Sequence, residues 1–170
     1  MSLRSGKMGN ELDLSFLKAV LDYSPATGVF TWKATRGGKL AGSKAGRVRL
    51  DGTTDIKLRG KMYLAHRLAW FYMTGVWPSA EIDHKDVDAS NNAWHNLRPA
   101  TGSQNCCNRL VQANNRLGVK GVRKDKNKYA ARITVSRKTI HLGTFETPEE
   151  AALAYAKAAK ELHGAFARVG

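Results

Sequence analysis

Between Asp83 and Asn105 the chain gathers side chains able to do hydrolytic chemistry: Asp83-His84, Asn91-Asn92, Asn96-Leu97-Arg98, Thr101 and Ser103-Gln104-Asn105. A histidine, with a pKa of about 6.5, can be neutral at pH 7 and take a proton from water. Hydrolysis of a phosphodiester needs such an acceptor, a nucleophilic water and positive charge on the phosphate. Oxygen donors of the Asp and Asn type suit a hard divalent cation. Each residue alone also has a plain structural reading, with Asp83-His84 as a turn and Asn96 and Asn105 as loop or helix caps. Their co-occurrence in one polar stretch is what points to chemistry.

The elements that would position this stretch follow from periodicity. An amphipathic helix is predicted over Leu12–Tyr23, with Leu14, Leu17, Val20 and Leu21 on one face. Ser24 to Gly28 breaks it, and Val29–Trp32 reads as a strand. Alternation returns in Val48–Leu50 and Ile56–Arg59 through an Asp51-Gly52 turn, then in Met62–Leu64. A helix over Ala65–Met73 is stopped by Gly75 and Pro78. From Pro78 to Leu97 the chain is polar and without period. Thr101 opens a helix, with Gln104 completing a capping box.

Charge bounds the partner. Twenty-eight Lys and Arg against fourteen Asp and Glu give +14 over 170 residues, a balance that attracts polyanions, nucleic acid foremost. A hydrophobic share of 42% argues against wholesale disorder. Cys106 and Cys107 are adjacent and form no CxxC pair, which suits a reducing compartment and argues against a thiolate zinc site. No apolar run approaches a membrane span. Met1–Asn10, rich in Gly, Ser and Lys, reads as a flexible arm.

The polar stretch, with its lead-in Tyr63-Leu64-Ala65-His66-Arg67-Leu68-Ala69-Trp70 and Gly75 to Pro78, resembles the HNH homing endonucleases in the form whose last histidine is an asparagine. The resemblance covers roughly residues 21–109. It implies a ββα-metal fold, two strands and a helix around one ion, in which His84 is the general base and Asp83 and Asn105 are metal ligands. Asn96 would be the middle asparagine that braces the loop and helps hold the histidine. An Asp and an Asn as ligands favour Mg²⁺ or Mn²⁺ over Zn²⁺. Arg67 and Arg98 are candidate phosphate contacts, with a solvated surface as the alternative. His66 is either packed structurally or a substrate contact. Members of the family often carry a Gly and a basic residue after the histidine. Here Lys85 to Ser90 intervenes, and Asp86 and Asp88 would repel DNA or recruit further cation.

The last fifty residues carry a pattern of their own. Strands are predicted at Val122–Lys124, Tyr129–Val135 and Thr139–Leu142. A helix then runs from Thr147-Pro148-Glu149-Glu150 to about His163, burying Ala151, Tyr155, Ala158, Ala159 and Leu162. Nine Lys or Arg face one acid from Arg116 to Phe145, whereas four acids face two bases from Glu146 to His163. The sheet side is therefore the side that phosphate attracts. Alternation puts Arg123, Arg132, Thr134, Thr139 and His141 on the face away from the helix. Gly121-Val122-Arg123, Tyr129 to Ile133, Leu142 to Thr147 and Ala151 to Tyr155 together resemble the AP2/ERF domain, whose sheet lies in the DNA major groove. On that likeness Arg123 and Arg132 read base edges, Thr134 and His141 share their face, and Lys124, Lys128 and Lys138 contact phosphate. The third-strand tryptophan of the plant family is His141 here and its neighbouring arginine is Thr139, so a target sequence does not carry over.

The expected architecture is α+β: an N-terminal arm and helix (1–23), an HNH domain with extra N-terminal strands (24–110), a linker (111–117) and an AP2-like three-stranded sheet on one helix (118–170). The expected activity is metal-dependent hydrolysis of duplex DNA in the cytoplasm of a bacterial or phage-infected cell, with no membrane and no obligate protein partner. The alternatives are an inactive sequence-specific DNA-binding regulator and a basic RNA- or ribosome-associated protein.

Overall fold

The computed structural model describes residues 12–108, 111, 115 and 117–167. The arm expected at Met1–Asn10, Arg116 and most of the expected linker lie outside them. The chain divides into two compact units, residues 1–99 and 100–170. Both mix helices with small antiparallel sheets, the α+β class expected.

In the first unit, Asp13 caps helix α1 (Leu14–Val20) by accepting from the Phe16 amide at 2.7 Å. The helix stops three residues before its predicted end. Leu21 turns extended, and Leu21–Tyr23 forms strand β1, antiparallel to β2 (Phe30–Trp32). In an extended chain Leu21 and Tyr23 share a buried face and Asp22 points out, whereas a continued helix would separate them. Strands β3 (Arg47–Val48), β4 (Thr54–Leu58) and β5 (Lys61–Leu64) form a meander in that order. Leu50, predicted to continue a strand, lies instead in the β3–β4 turn.

Helix α2 (Ala65–Thr74) ends on Gly75, whose left-handed φ of 76° needs no Cβ. Its buried Ala65, Leu68, Ala69 and Phe71 pack with Leu17, Leu21, Phe30 and Ile56 into one core. The polar stretch read as lacking period holds strand β6 (Glu81–His84), paired with β7 (Leu97–Ala100). Four residues with three consecutive buried positions show no alternation to find.

The second unit begins with helix α3 (Gly102–Asn108), entered through the expected box: Thr101 N donates to Gln104 Oε1 at 2.8 Å and Gln104 N to Thr101 Oγ1 at 3.3 Å. Strands β8 (Val122–Asp125), β9 (Lys128–Val135) and β10 (Lys138–Phe145) follow, with β9 central. The β9–β10 turn places Ser136 and Arg137 at φ 49° and 66°, the two-residue hairpin geometry that matches strand twist. Helix α4 (Pro148–His163) starts on a full capping box between Thr147 and Glu150 and buries Ala151, Tyr155, Ala158 and Ala159. Leu162, expected among them, is exposed, because it stands near the helix end where Gly164 breaks the run. Gly121 seats helix on sheet: a Cβ there would stand 2.2 Å from Tyr155 Cδ2.

Candidate active site and nucleic-acid face

Asp83 and His84 end strand β6, and both are buried. Arg67, on α2, donates to the carbonyls of Pro78 and Ala80 at 2.9 and 3.1 Å, which fixes the chain just before that strand. Asp83 Oδ2 receives the Arg98 guanidinium from β7 through Nε and Nη2, each at 2.8 Å. Arg67 and Arg98, expected at phosphate, are thus turned to carbonyls and to a carboxylate.

His84 Nε2 lies 3.0 Å from Asn92 Oδ1. The amide orientation is fixed from its other end, since Asn92 Nδ2 donates to the Ser90 carbonyl at 3.2 Å. Nε2 is then the donor nitrogen and Nδ1 the one that accepts a proton. The His66 ring meets His84 edge to face, centroids 5.1 Å apart, so His66 is a packed partner of the site. Burial first, then His84 and Arg67, push its pKa down to about 4, and among the described residues its buried Nδ1 has no hydrogen-bond partner.

The loop after His84 is built around Asp86 and Asn96. Asp86 Oδ1 accepts from Asn96 Nδ2 and the Asp88 amide, both at 2.9 Å, and its Oδ2 from Asn91 Nδ2 at 2.6 Å. Asn96 answers by accepting from the Asp86 amide at 3.1 Å and donating to the Asn91 carbonyl at 2.8 Å. Burial pulls the Asp86 carboxyl upward, but the hydrogen bonds from Asn96, Asn91 and the Asp88 amide outweigh it and hold the group below the usual range. Asp88 accepts from the amide and hydroxyl of Ser90. The two acids that stood out in the sequence are therefore the struts of the loop. Asn96 braces it, and the imidazole itself is met by Asn92, a residue present in the motif but given no role from sequence.

The β1–β2 turn underlies Asn92. Tyr23 Oη donates to the Asn92 carbonyl and the Trp94 amide to the Pro25 carbonyl, both at 2.8 Å. Gly28, at φ 73°, lies so close that a Cβ would stand 2.2 Å from Asn92 C. Neither Tyr23 nor Gly28 carried a sequence signal of this task. Asn105, expected as the second metal ligand, lies on α3 in the second unit.

In the second unit the strand register assigns the faces. Arg123 stands opposite Ala130, His141 opposite Arg132, and Thr139 opposite Thr134, with Thr134 and Thr139 hydroxyls 3.1 Å apart. Ala131 and Ile133, on the other face, pack against α4. Arg123, Arg132, Thr134, Thr139 and His141 therefore share one exposed surface away from the helix, as expected. Lys128 joins that side, paired with Glu146 at 2.6 Å. Lys124 and Lys138 stand opposite Tyr129 and Val135 and so leave from the helix side of the sheet, at its margins.

Comparison with known families finds a likeness for two segments of the chain. Residues 63–106 match the HNH endonuclease family and residues 117–165 match the AP2 domain. The chain thus carries one segment similar to HNH endonucleases and one similar to AP2 domains. A curated relative, the uncharacterized HNH endonuclease L560 of Acanthamoeba polyphaga mimivirus, is 37% identical over 110 residues, 64% of this chain. The chain spans 57% of the length of that relative. Among solved structures, the HNH homing endonuclease I-HmuI, from work on DNA binding and cleavage, aligns over 89% of this chain and 90% of its own, at 19% identity and a TM-score of 0.43.

HNH nucleases generally use a divalent metal ion, and the donors here fit a hard one. Asp83 carries carboxylate oxygens, the donor type that a hard divalent cation takes, next to His84. No helix among the described residues is long and apolar enough to cross a membrane.

Proposed function

We propose that this protein is a DNA endonuclease in which the HNH segment hydrolyses a phosphodiester bond of duplex DNA and the AP2 domain holds the duplex. The observation that carries the reading is the buried Asp83-His84 pair at the end of β6, within the segment that matches the HNH family, with His84 held by Asn92.

In this reading His84 is the general base, accepting a water proton at Nδ1 while Nε2 stays hydrogen-bonded to Asn92. Asn92 keeps the tautomer, and Asn96 with Asp86 keeps the loop that carries Asn92. Arg98 neutralises Asp83 inside the protein and orients its carboxylate. Asp83 would hold the divalent ion, which when bound supplies positive charge to the phosphate as negative charge develops on it. The Arg123, Arg132, Thr134, Thr139 and His141 surface is the duplex-binding face, with Arg123 and Arg132 reaching base edges. Lys124, Lys128 and Lys138 serve the phosphates from the rim.

Supercoiled plasmid incubated with the protein and Mg²⁺ or Mn²⁺ tests this reading. Nicking that is lost with chelator and lost in His84→Ala supports it. Tight retention on DNA with no cleavage by the wild type would replace it with a DNA-binding regulator.

A further inference from the structure

The β3–β4 hairpin of the first unit carries a feature that neither its fold nor the hydrolytic site uses. Between Lys33 and Lys61 the chain has nine Lys or Arg and two acids, Asp51 and Asp55. Both acids are committed internally. Asp51 accepts from the amide and hydroxyl of Thr53 at 3.0 and 2.6 Å, and Asp55 pairs with Arg49 at 3.7 Å. The surface that remains is strongly cationic.

At the tip of the hairpin stands Leu50, fully exposed, with Val48 exposed behind it. The turn that presents it is built, not loose: Arg49 N donates to Thr53 O at 2.7 Å and Gly52 N to Arg49 O at 3.0 Å. A leucine on a firm turn among arginines contributes nothing to the core of its own unit. The tip also abuts the site, because a Cβ at Gly52 would lie 3.6 Å from that of Ala89, in the loop that follows His84.

We propose that Leu50 is an apolar wedge which this hairpin presses between base pairs of duplex DNA beside the bond to be cut, while the basic side chains around it hold the flanking phosphates. The proposal rests on the reading of the first unit as acting on DNA. The charge complements a duplex and not another apolar surface. An apolar side chain driven between stacked bases partly unstacks them and kinks the helix. That would bend the backbone toward the loop beside which the tip sits.

The test uses the full chain carrying His84→Ala, so that closed-circular plasmid stays intact, and a metal-independent topoisomerase acting on relaxed plasmid. A wedge unwinds DNA where it enters, so the parent should shift the topoisomer distribution after deproteinisation. Adding Leu50→Ala or Leu50→Lys should abolish the shift, with plasmid retention on a filter changed by no more than about threefold, since retention is chiefly phosphate neutralisation. Adding Leu50→Phe should preserve it. Leu50 touches no core, so these variants keep the fold, which tryptophan emission would verify. A parent retained on plasmid without a topoisomer shift, or a shift unchanged in Leu50→Ala, overturns the wedge and leaves the nuclease reading standing. Failure of the parent to be retained at all overturns both. A change of oligomeric state in Leu50→Ala would reassign the tip to a second copy of the chain and likewise overturn the wedge.

Discussion

His66 should make the first unit acid-sensitive in a way that one substitution removes. The ring is buried against His84, and its pKa falls from the ordinary value of 6.5 to about 4, through burial first and then His84 and Arg67. The folded pKa is the depressed one, so the sign is fixed. Above the unfolded value both states carry a neutral ring and the contribution is whole. As pH falls from the unfolded value toward the folded one, only the unfolded chain takes up the proton, and stability drains away. Below the folded value the loss is complete. At about 1.4 kcal/mol for each tenfold change in proton affinity, the fall from 6.5 to about 4 amounts to about 3 kcal/mol. His66→Phe keeps an aromatic ring against His84 and removes the titration. All four tryptophans, at 32, 70, 77 and 94, lie in the first unit, so urea denaturation followed by their emission reads this unit alone. From about pH 7.5 to about pH 4 the wild type should lose about 3 kcal/mol more than His66→Phe. Parallel losses in the two proteins would refute the reasoning.

Arg98→Ala leaves the buried Asp83 carboxylate without its guanidinium and should destabilise the first unit by about 3–5 kcal/mol, measured by the same tryptophan-detected urea unfolding. Gly121→Ala puts a methyl into Tyr155 and the Arg132 carbonyl at a left-handed backbone. It should cost the second unit about 2 kcal/mol or more, seen as an earlier loss of its circular dichroism on heating. Arg132→Ala, at an exposed position opposite His141, should leave the fold intact and weaken duplex binding by about 1–3 kcal/mol. Fluorescence anisotropy at fixed salt would show it, and an unchanged affinity would speak against the open sheet face as the duplex surface.

The second unit was the more legible of the two, for a physical reason. Its strands are long enough to alternate, so Arg132 and Thr134 against Ala131 and Ile133 declare two faces before any pairing is known. The start of α4 is equally plain, because Thr147, Pro148 and Glu150 are each chosen by the geometry of a helix terminus. The first unit hides more. Its strand β6 carries the polar Asp83 and His84 inward, so the hydrophobic period that marks a strand is absent there. Leu21 continues the helical face of Leu14 and Leu17 as readily as it opens a strand, and only pairing with Phe30–Trp32 decides between the two. The motif named His84 and Asn96. It said nothing of Asn92 as the imidazole's partner, since that contact depends on a turn of Asp86 and Asp88 whose acids looked like charge and act as hydrogen-bond acceptors.

The seat that Tyr23, Pro25 and Gly28 make beneath Asn92 and Trp94 has a bearing on how this kind of protein can be cut apart and recombined. The stretch matched to the family starts at residue 63, yet the backbone supporting the imidazole's neighbour comes from forty residues earlier, roughly. An excised fragment limited to the matched stretch would lack the platform on which that neighbour rests. A graft of the matched stretch onto another protein should carry the first hairpin along with it.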